Sequence, residues 1–429
     1  MQITSKWRRG VIAAAAAVAV AGTSFGLAAP AMADPIGSPV YRDLAGGGSD
    51  TIQDVMNGLG AVVTDGSGTL LIGSYDATGS ATIKTKSTGA TFTRPDGSGD
   101  GFTAFKAAKT STAYKGTTLS PTDLQFSRSS SGPSNTTPTG TYVYVPLALD
   151  AVDYATAPST AVPGDIPLGT SVGELSSDGV TLALTLKNIY SRSATTTLKD
   201  AAGVTHTVGA QGSGADIIPF IPQAGSGTRS FWQSQMGGAF GSIASATFTY
   251  TTNATDCATN PTVAGVAPSF NSSTNVCTVG VQEHNGTVTA KVTNAIVPFS
   301  IAQWVAQSNS SSIASDYGIT VTDRRNSAVL GKVNGVNPTV GSPAVLNTGF
   351  PIVRPVFNIV KYDELSTNAN LAAVFQGASA KAYTALNPVT LGSLVIEDFG
   401  FGDITGGVNI NGVTYTAGDT TSAYLRTNG

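Results

Sequence analysis

Short apolar runs alternate along this chain with stretches led by glycine. Residues 40–45 (VYRDLA) read as a strand ending in the loop Gly46-Gly47-Gly48-Ser49-Asp50. Ile52, Val55, Met56 and Leu59 then recur at the spacing of one helix face, which predicts a helix over 51–59. A second strand is expected at 69–75 (TLLIGSY), and a helix opened by Asp96-Gly97-Ser98-Gly99 continues through Phe102, Phe105 and Lys106. A short strand at 124–127 (LQFS) leads into Arg128-Ser129-Ser130-Ser131-Gly132-Pro133, and 142–149 (YVYVPLAL) is the strongest strand pattern of all. Further on come a helix near 182–190, a strand at 217–221 and the loop Gly225-Ser226-Gly227-Thr228, which opens a helix at Arg229. Strands at 295–299 (AIVPF) and 352–360 (IVRPVFNIV) and a helix at 371–375 follow. Strand, glycine loop and helix in recurrence predict an α/β sheet with crossover connections. The segment 245–290 is rich in Thr, Asn and Ser and reads as a β-rich insertion, while the tail from Phe399 is turn-rich and has no assigned role.

The first 33 residues stand apart from this pattern. Lys6, Arg8 and Arg9 precede an apolar run at 11–20, and Ala31-Met32-Ala33 has the small-x-small form of a signal-peptidase site. A membrane-spanning anchor needs about 20 apolar residues, and Thr23-Ser24 cuts this run short. We therefore expect a signal peptide over 1–33, cleaved near Ala33, and a secreted protein at the cell surface or in the periplasm. The rest is long enough for about two lobes. Charged residues make up only 11% and the net charge is −3, so there is no basic excess for nucleic acid. A hydrophobic share of 41% excludes a disordered chain.

Cys257 and Cys277, both in the insertion, are expected to form one disulfide closing a loop of about 20 residues. No cysteine follows the leader to take a lipid anchor. His206 and His284 sit in polar, turn-rich segments and are expected at the surface, which leaves no Ser-His-Asp triad. Asp96, Ser98, Asp100 and Gly101 mimic a calcium loop, but Ala107 stands where its closing Glu belongs. No metal site, no cofactor and no enzyme activity is expected.

Four strand-to-helix loops share one character: Gly48-Ser49-Asp50-Thr51, Gly97-Ser98-Gly99, Ser127-Arg128-Ser129 and Gly225-Ser226-Gly227-Thr228. Each can present backbone N–H groups at a helix start and add a hydroxyl, which suits a small anion. The same residues serve equally as helix caps. Arg128 and Arg229 stand beside two of the loops, as anion partners or as solvated surface charges.

The stretches AGGGSDTIQDVM (45–56), RPDGSGDGFTAF (94–105), DLQFSRSSSGP (123–133), IPQAGSGTRSFW (221–232) and NAIVPFSIAQW (294–304) together resemble the phosphate-binding component of the bacterial phosphate ABC transporter. The resemblance implies a two-lobed type II periplasmic-binding-protein fold with two hinge crossings, with the β-rich insertion at about 245–290 in lobe two. Lobe one would comprise 34–145 and 296–429, and lobe two 146–295. It implies an exported solute-binding protein, a monomer that closes on inorganic phosphate or a similar oxyanion and serves a membrane ABC permease. By position it assigns the anion to Ser49, Asp50, Thr51, Ser98, Ser226, Gly227 and Thr228.

Two departures move the charges. The family carries an aspartate in the third loop, where this chain has Arg128, and an arginine just before GSGT, where it has Pro222-Gln223. Arg128 is accordingly expected to supply the cation and Asp50 to accept the ligand's proton. The competing reading is a secreted surface or matrix protein that keeps the fold without binding an anion. A hydrolase ranks last, since no nucleophile-base pair is visible.

Overall fold

The computed structural model describes residues 34–35, 40–263 and 266–429. The leader expected over 1–33 lies outside the described residues. Among those described, no helix is long and apolar enough to cross a membrane.

The strands that build the site are β1 (Leu44–Gly48), β2 (Ile72–Ser74), β3 (Phe126–Ser129), β4 (Tyr142–Thr156), β5 (Ile218–Pro219), β6 (Thr247–Thr251), β7 (Ser269–Asn271), β8 (Val276–Gly280), β9 (Ala295–Ser300), β10 (Val329–Leu330), β11 (Val353–Lys361) and β12 (Arg426–Thr427). The helices that matter are α1 (Gln53–Val62), α2 (Ser98–Thr110), α3 (Gly227–Gln235) and α4 (Ile301–Ser308). A nine-stranded mixed sheet runs β5-β9-β4-β11-β3-β1-β2, with β10 and β12 also paired to β4. The chain is an α/β protein, as its alternation predicts.

The first strand differs from its expected place. It spans 44–48 rather than 40–45, so the three glycines belong to the strand instead of the loop. Parallel pairing draws them in: Gly46 lies opposite Ser74 on one side and Phe126 on the other. A Cβ on Gly46 would stand 2.4 Å from the Phe126 ring, so only glycine lets that ring pack over the strand.

β4 is the spine. All 15 of its residues are buried, as expected for an apolar run covered on both faces. Its first part pairs with β11 and its last part with β9 and β10. The register with β11 slips between Val356 and Phe357, opposite Pro146, which has no N–H to give to the ladder. The tail is not idle, because β12 pairs with Tyr142 and Val143 of β4.

The segment 245–290 is β-rich as read, an antiparallel sheet in the order β6-β8-β7. Cys257 and Cys277 are disulfide-bonded, with 5.5 Å between their Cα atoms. They pack with Phe248, Val279, Phe220 and Phe299 in a core of their own. Replacing both cysteines by serine is expected to cost about 3 kcal/mol in urea unfolding, the worth of closing a loop of this size. An unchanged midpoint would show that the hydrophobic packing alone holds the insertion.

Candidate functional site

β1 and β3 run parallel, so the loops that follow them open at the same edge of the sheet. Ser49, Asp50 and Thr51 follow β1 and are all buried, and the Ser49 N–H donates to Arg128 O at 3.0 Å. α1 and α2 have no side-chain cap at their first turns, which leaves their N–H groups turned toward whatever lies beyond. α3 begins at Gly227, two residues before the expected Arg229, because the Ser226 hydroxyl accepts from Arg229 N–H at 3.0 Å and caps it.

Side-chain contacts draw the four loops together. The Thr51 and Thr228 hydroxyls lie 3.3 Å apart, as do those of Ser98 and Ser130. The Ser130 N–H also donates to Ser98 Oγ at 3.1 Å. A Cβ on Gly227 would stand 2.4 Å from Ser130 Oγ and 2.6 Å from Ser98 Oγ. Glycine is required there for the α3 start to reach these hydroxyls. Thr51, Ser98, Gly227 and Thr228 thus meet in one buried polar cluster, joined by Ser130, which the sequence reading passed over; Ser226 borders it as the cap of α3, Asp50 turns to His284, and Ser49 bonds through its backbone to Arg128.

The two arginines of this region have different partners. Arg128 is fully buried and donates through Nε to Ser49 O at 2.9 Å, through Nη1 to Ser74 Oγ at 2.7 Å and through Nη2 to Gly48 O at 3.3 Å. Burial pulls its guanidinium down to about 10, against the nearby charges of Asp76, Asp50 and Asp54. It braces the first loop. Arg354 of β11 is the cation among the hydroxyls: Nη2 donates to Thr228 Oγ1 at 2.9 Å and Nη1 to Ser130 O at 3.2 Å. Nε and Nη2 also reach Asp150 Oδ2 at 3.0 and 2.8 Å. The available signal was an arginine inside the apolar run IVRPV and an aspartate inside the long run of β4.

The segment leaving the insertion adds two groups. Glu283 is fully buried and accepts the Ser226 hydroxyl through Oε1 at 2.7 Å. Burial, with the charge of Asp50 in the same direction, pushes its carboxyl up to about 8. His284 is also fully buried, which corrects the surface position expected from its polar neighbours; Gln307 Nε2 donates to its carbonyl at 3.0 Å and holds the segment inward. Its Nε2 lies 3.3 Å from Asp50 Oδ2, within ion-pair range but without hydrogen-bond alignment. Burial alone would raise the Asp50 carboxyl; the His284 ring and Arg324 outweigh it and hold the group below its usual range. His206 lies elsewhere, beside Asp200 at 3.3 Å. Among the described residues, no group of three or more His, Cys, Asp or Glu side chains is placed to hold a metal ion.

The chain is similar to solved phosphate-binding proteins. One is a putative phosphate ABC transporter substrate-binding protein from Clostridium perfringens, at 16% identity and a TM-score of 0.35, covering 75% of this chain and 87% of that one. An ABC-type phosphate transport receptor from Vibrio cholerae matches at 12% identity and a TM-score of 0.37, covering 82% and 99%. PstS from Borrelia burgdorferi matches at 12% identity and a TM-score of 0.33, covering 84% and 98%. No family profile and no curated relative matches the sequence. These scores describe a loose backbone correspondence, and the cluster's chemistry stands on its own contacts.

Behind the first loop, Asp76 accepts from Asn57 Nδ2 at 2.7 Å. Burial, then the charge of Asp54, lifts its carboxyl to about 7 from an ordinary 3.8. The folded state therefore keeps a proton that the unfolded chain has lost. The resulting stability is full below about 4 and falls as pH rises toward 7. Glu283 acts in the same direction up to about 8. Asp76→Asn is expected to make the decline of the urea midpoint between about pH 4.5 and 7.5 shallower; an unchanged slope would show that Asp76 ionises freely in the fold.

Proposed function

We propose that this chain is an exported solute-binding protein that holds phosphate or a similar tetrahedral oxyanion between two lobes and delivers it to a membrane ABC permease. The observation that carries the reading is the buried Arg354 guanidinium, set against Thr228 Oγ1 and Ser130 O where three loops and their helix starts meet. Hydroxyls, helix starts and one fixed cation supply donors here, and such a set is complementary to the acceptor oxygens of an oxyanion. Thr51, Ser98, Ser226, Gly227 and Thr228 would contact the ligand, with Ser130 and Arg354 added to them. Ser49 and Arg128 would hold the first loop from behind, and Asp50 would stand beside the His284 ring.

In this reading, lobe one comprises 34–145 and 296–429 and lobe two 146–295, with β4 and β9 as the crossings. Opening along these strands would part Thr51 and Ser98 from Thr228 and admit the anion. Activity is binding rather than catalysis. Export rests on the leader pattern at 1–33.

A second reading has one observation in its favour: the hydroxyls already pair with each other at 3.3 Å. A surface protein that keeps this cluster only as a polar core would show the same contacts. Mass spectrometry of natively purified protein separates the two, with a retained phosphate expected. Thr228→Val should weaken inorganic phosphate binding about tenfold to a hundredfold in calorimetry, the worth of one hydrogen bond to a charged ligand. No retained anion and no heat with phosphate would leave the surface-protein reading.

A further inference from the structure

The Glu283 carboxyl has one oxygen engaged and one free. Oε1 takes the Ser226 hydroxyl at 2.7 Å, while Oε2 is buried without a hydrogen-bond partner. Leaving a buried polar atom unpaired is costly, and this one stands beside a loop that presents donors. The charged or titratable groups around it are Asp50 from the first loop, Arg354 from β11 and the His284 ring next in sequence, with Arg324 close to Asp50. Arg354 is already matched by Asp150. If Glu283 were ionised, it would face the Asp50 carboxylate and an incoming anion together in a low-dielectric interior, where such repulsion is strong. A neutral carboxyl avoids this and has a proton to give.

We propose that Glu283 is a specificity-determining residue of the oxyanion site, donating its carboxyl proton from Oε2 to the ligand, so that fully deprotonated tetrahedral anions such as sulfate are accepted alongside phosphate. This rests on the oxyanion reading above and deepens it by naming the protonation state of the ligand that the site accepts. Burial and Asp50 keep the Glu283 proton in place up to about pH 8, and a bound anion holds it more tightly still. Above that range the donor becomes a second negative charge, and a ligand with no proton of its own is expelled. Selectivity for protonated anions then rises with pH.

Sulfate is the clean probe, because its charge does not change near neutrality and any pH dependence belongs to the protein. Calorimetry on the purified full chain at about pH 6.5 and about pH 9 should show sulfate affinity falling roughly tenfold. At the higher pH, buffers of different ionisation enthalpy should reveal uptake of about one proton per sulfate bound. Glu283→Gln keeps an N–H donor but cannot titrate, so its sulfate affinity should stay within about twofold across the same range, with no proton uptake. The wild-type profile alone already tests the idea if the variant fails to fold. Sulfate binding that ignores pH, or an equal fall in Glu283→Gln, would overturn the proposal. Phosphate bound at both pH values with sulfate bound at neither would overturn the role of Glu283 and leave the oxyanion reading intact. Binding of neither anion would overturn both.

Discussion

The buried pair Arg354–Asp150 is the contact on which the rest of the arrangement depends. The two residues are register partners on β11 and β4. The second Asp150 oxygen accepts the Ser300 hydroxyl at 3.0 Å and the Ala302 N–H at 3.1 Å, which fixes the end of β9 and the start of α4. The remaining Arg354 donors reach Ser130 O after β3 and Thr228 Oγ1 at the start of α3. One ion pair thus ties together three long strands and two of the polar loops. Removing two charges from water costs several kcal/mol per ion, and the mutual attraction offsets this only when every remaining donor and acceptor is met. Here the surrounding hydroxyls and N–H groups meet them. The polar cluster is therefore in the first place a requirement of the buried charges.

That dependence explains what could be read from the chain and what could not. The loops at Asp50, Ser98 and Ser226 were legible because glycine beside a hydroxyl at a helix start is a local pattern, set by local backbone needs. The alternation of strands and helices was legible for the same reason. Arg354 and Asp150 are 204 residues apart, and neither has a neighbour in sequence that announces the other. Arg128 reads as part of a polar loop and looks like an anion partner, yet its donors turn back onto the Gly48 and Ser49 carbonyls and the Ser74 hydroxyl. Only the β1–β3 pairing reveals this.

The burial of His284 is hidden from the sequence for a related reason. The run Gln282-Glu283-His284-Asn285 is polar and reads as solvent-exposed, but α4 covers it through Gln307, and Asp50 approaches it from the far end of the chain. Burial of a polar run is a tertiary property, and periodicity carries no trace of it. The first strand shows the converse. The glycines of 46–48 look like a loop because they lack side chains, and that lack is what lets β1 lie beneath Phe126.

The insertion and the third loop both border the polar cluster. In the motif that the chain resembles, an aspartate stands in the third loop; here that loop offers Ser129, Ser130 and an arginine directed elsewhere. Glu283, three residues beyond β8, brings a carboxyl to the Ser226 side of the cluster. The Val281 N–H donates to Ala246 O, and Gln223 N–H donates to Val281 O at 3.1 Å, so the exit of the insertion is pinned to the segment that carries Ser226. Glu283 then meets the Ser226 hydroxyl without any long or flexible connection. An acid at Glu283 lies on the Asp50 side, where a like charge and burial both favour the neutral form. The protonation of the Glu283 carboxyl is therefore set by its place in the cluster.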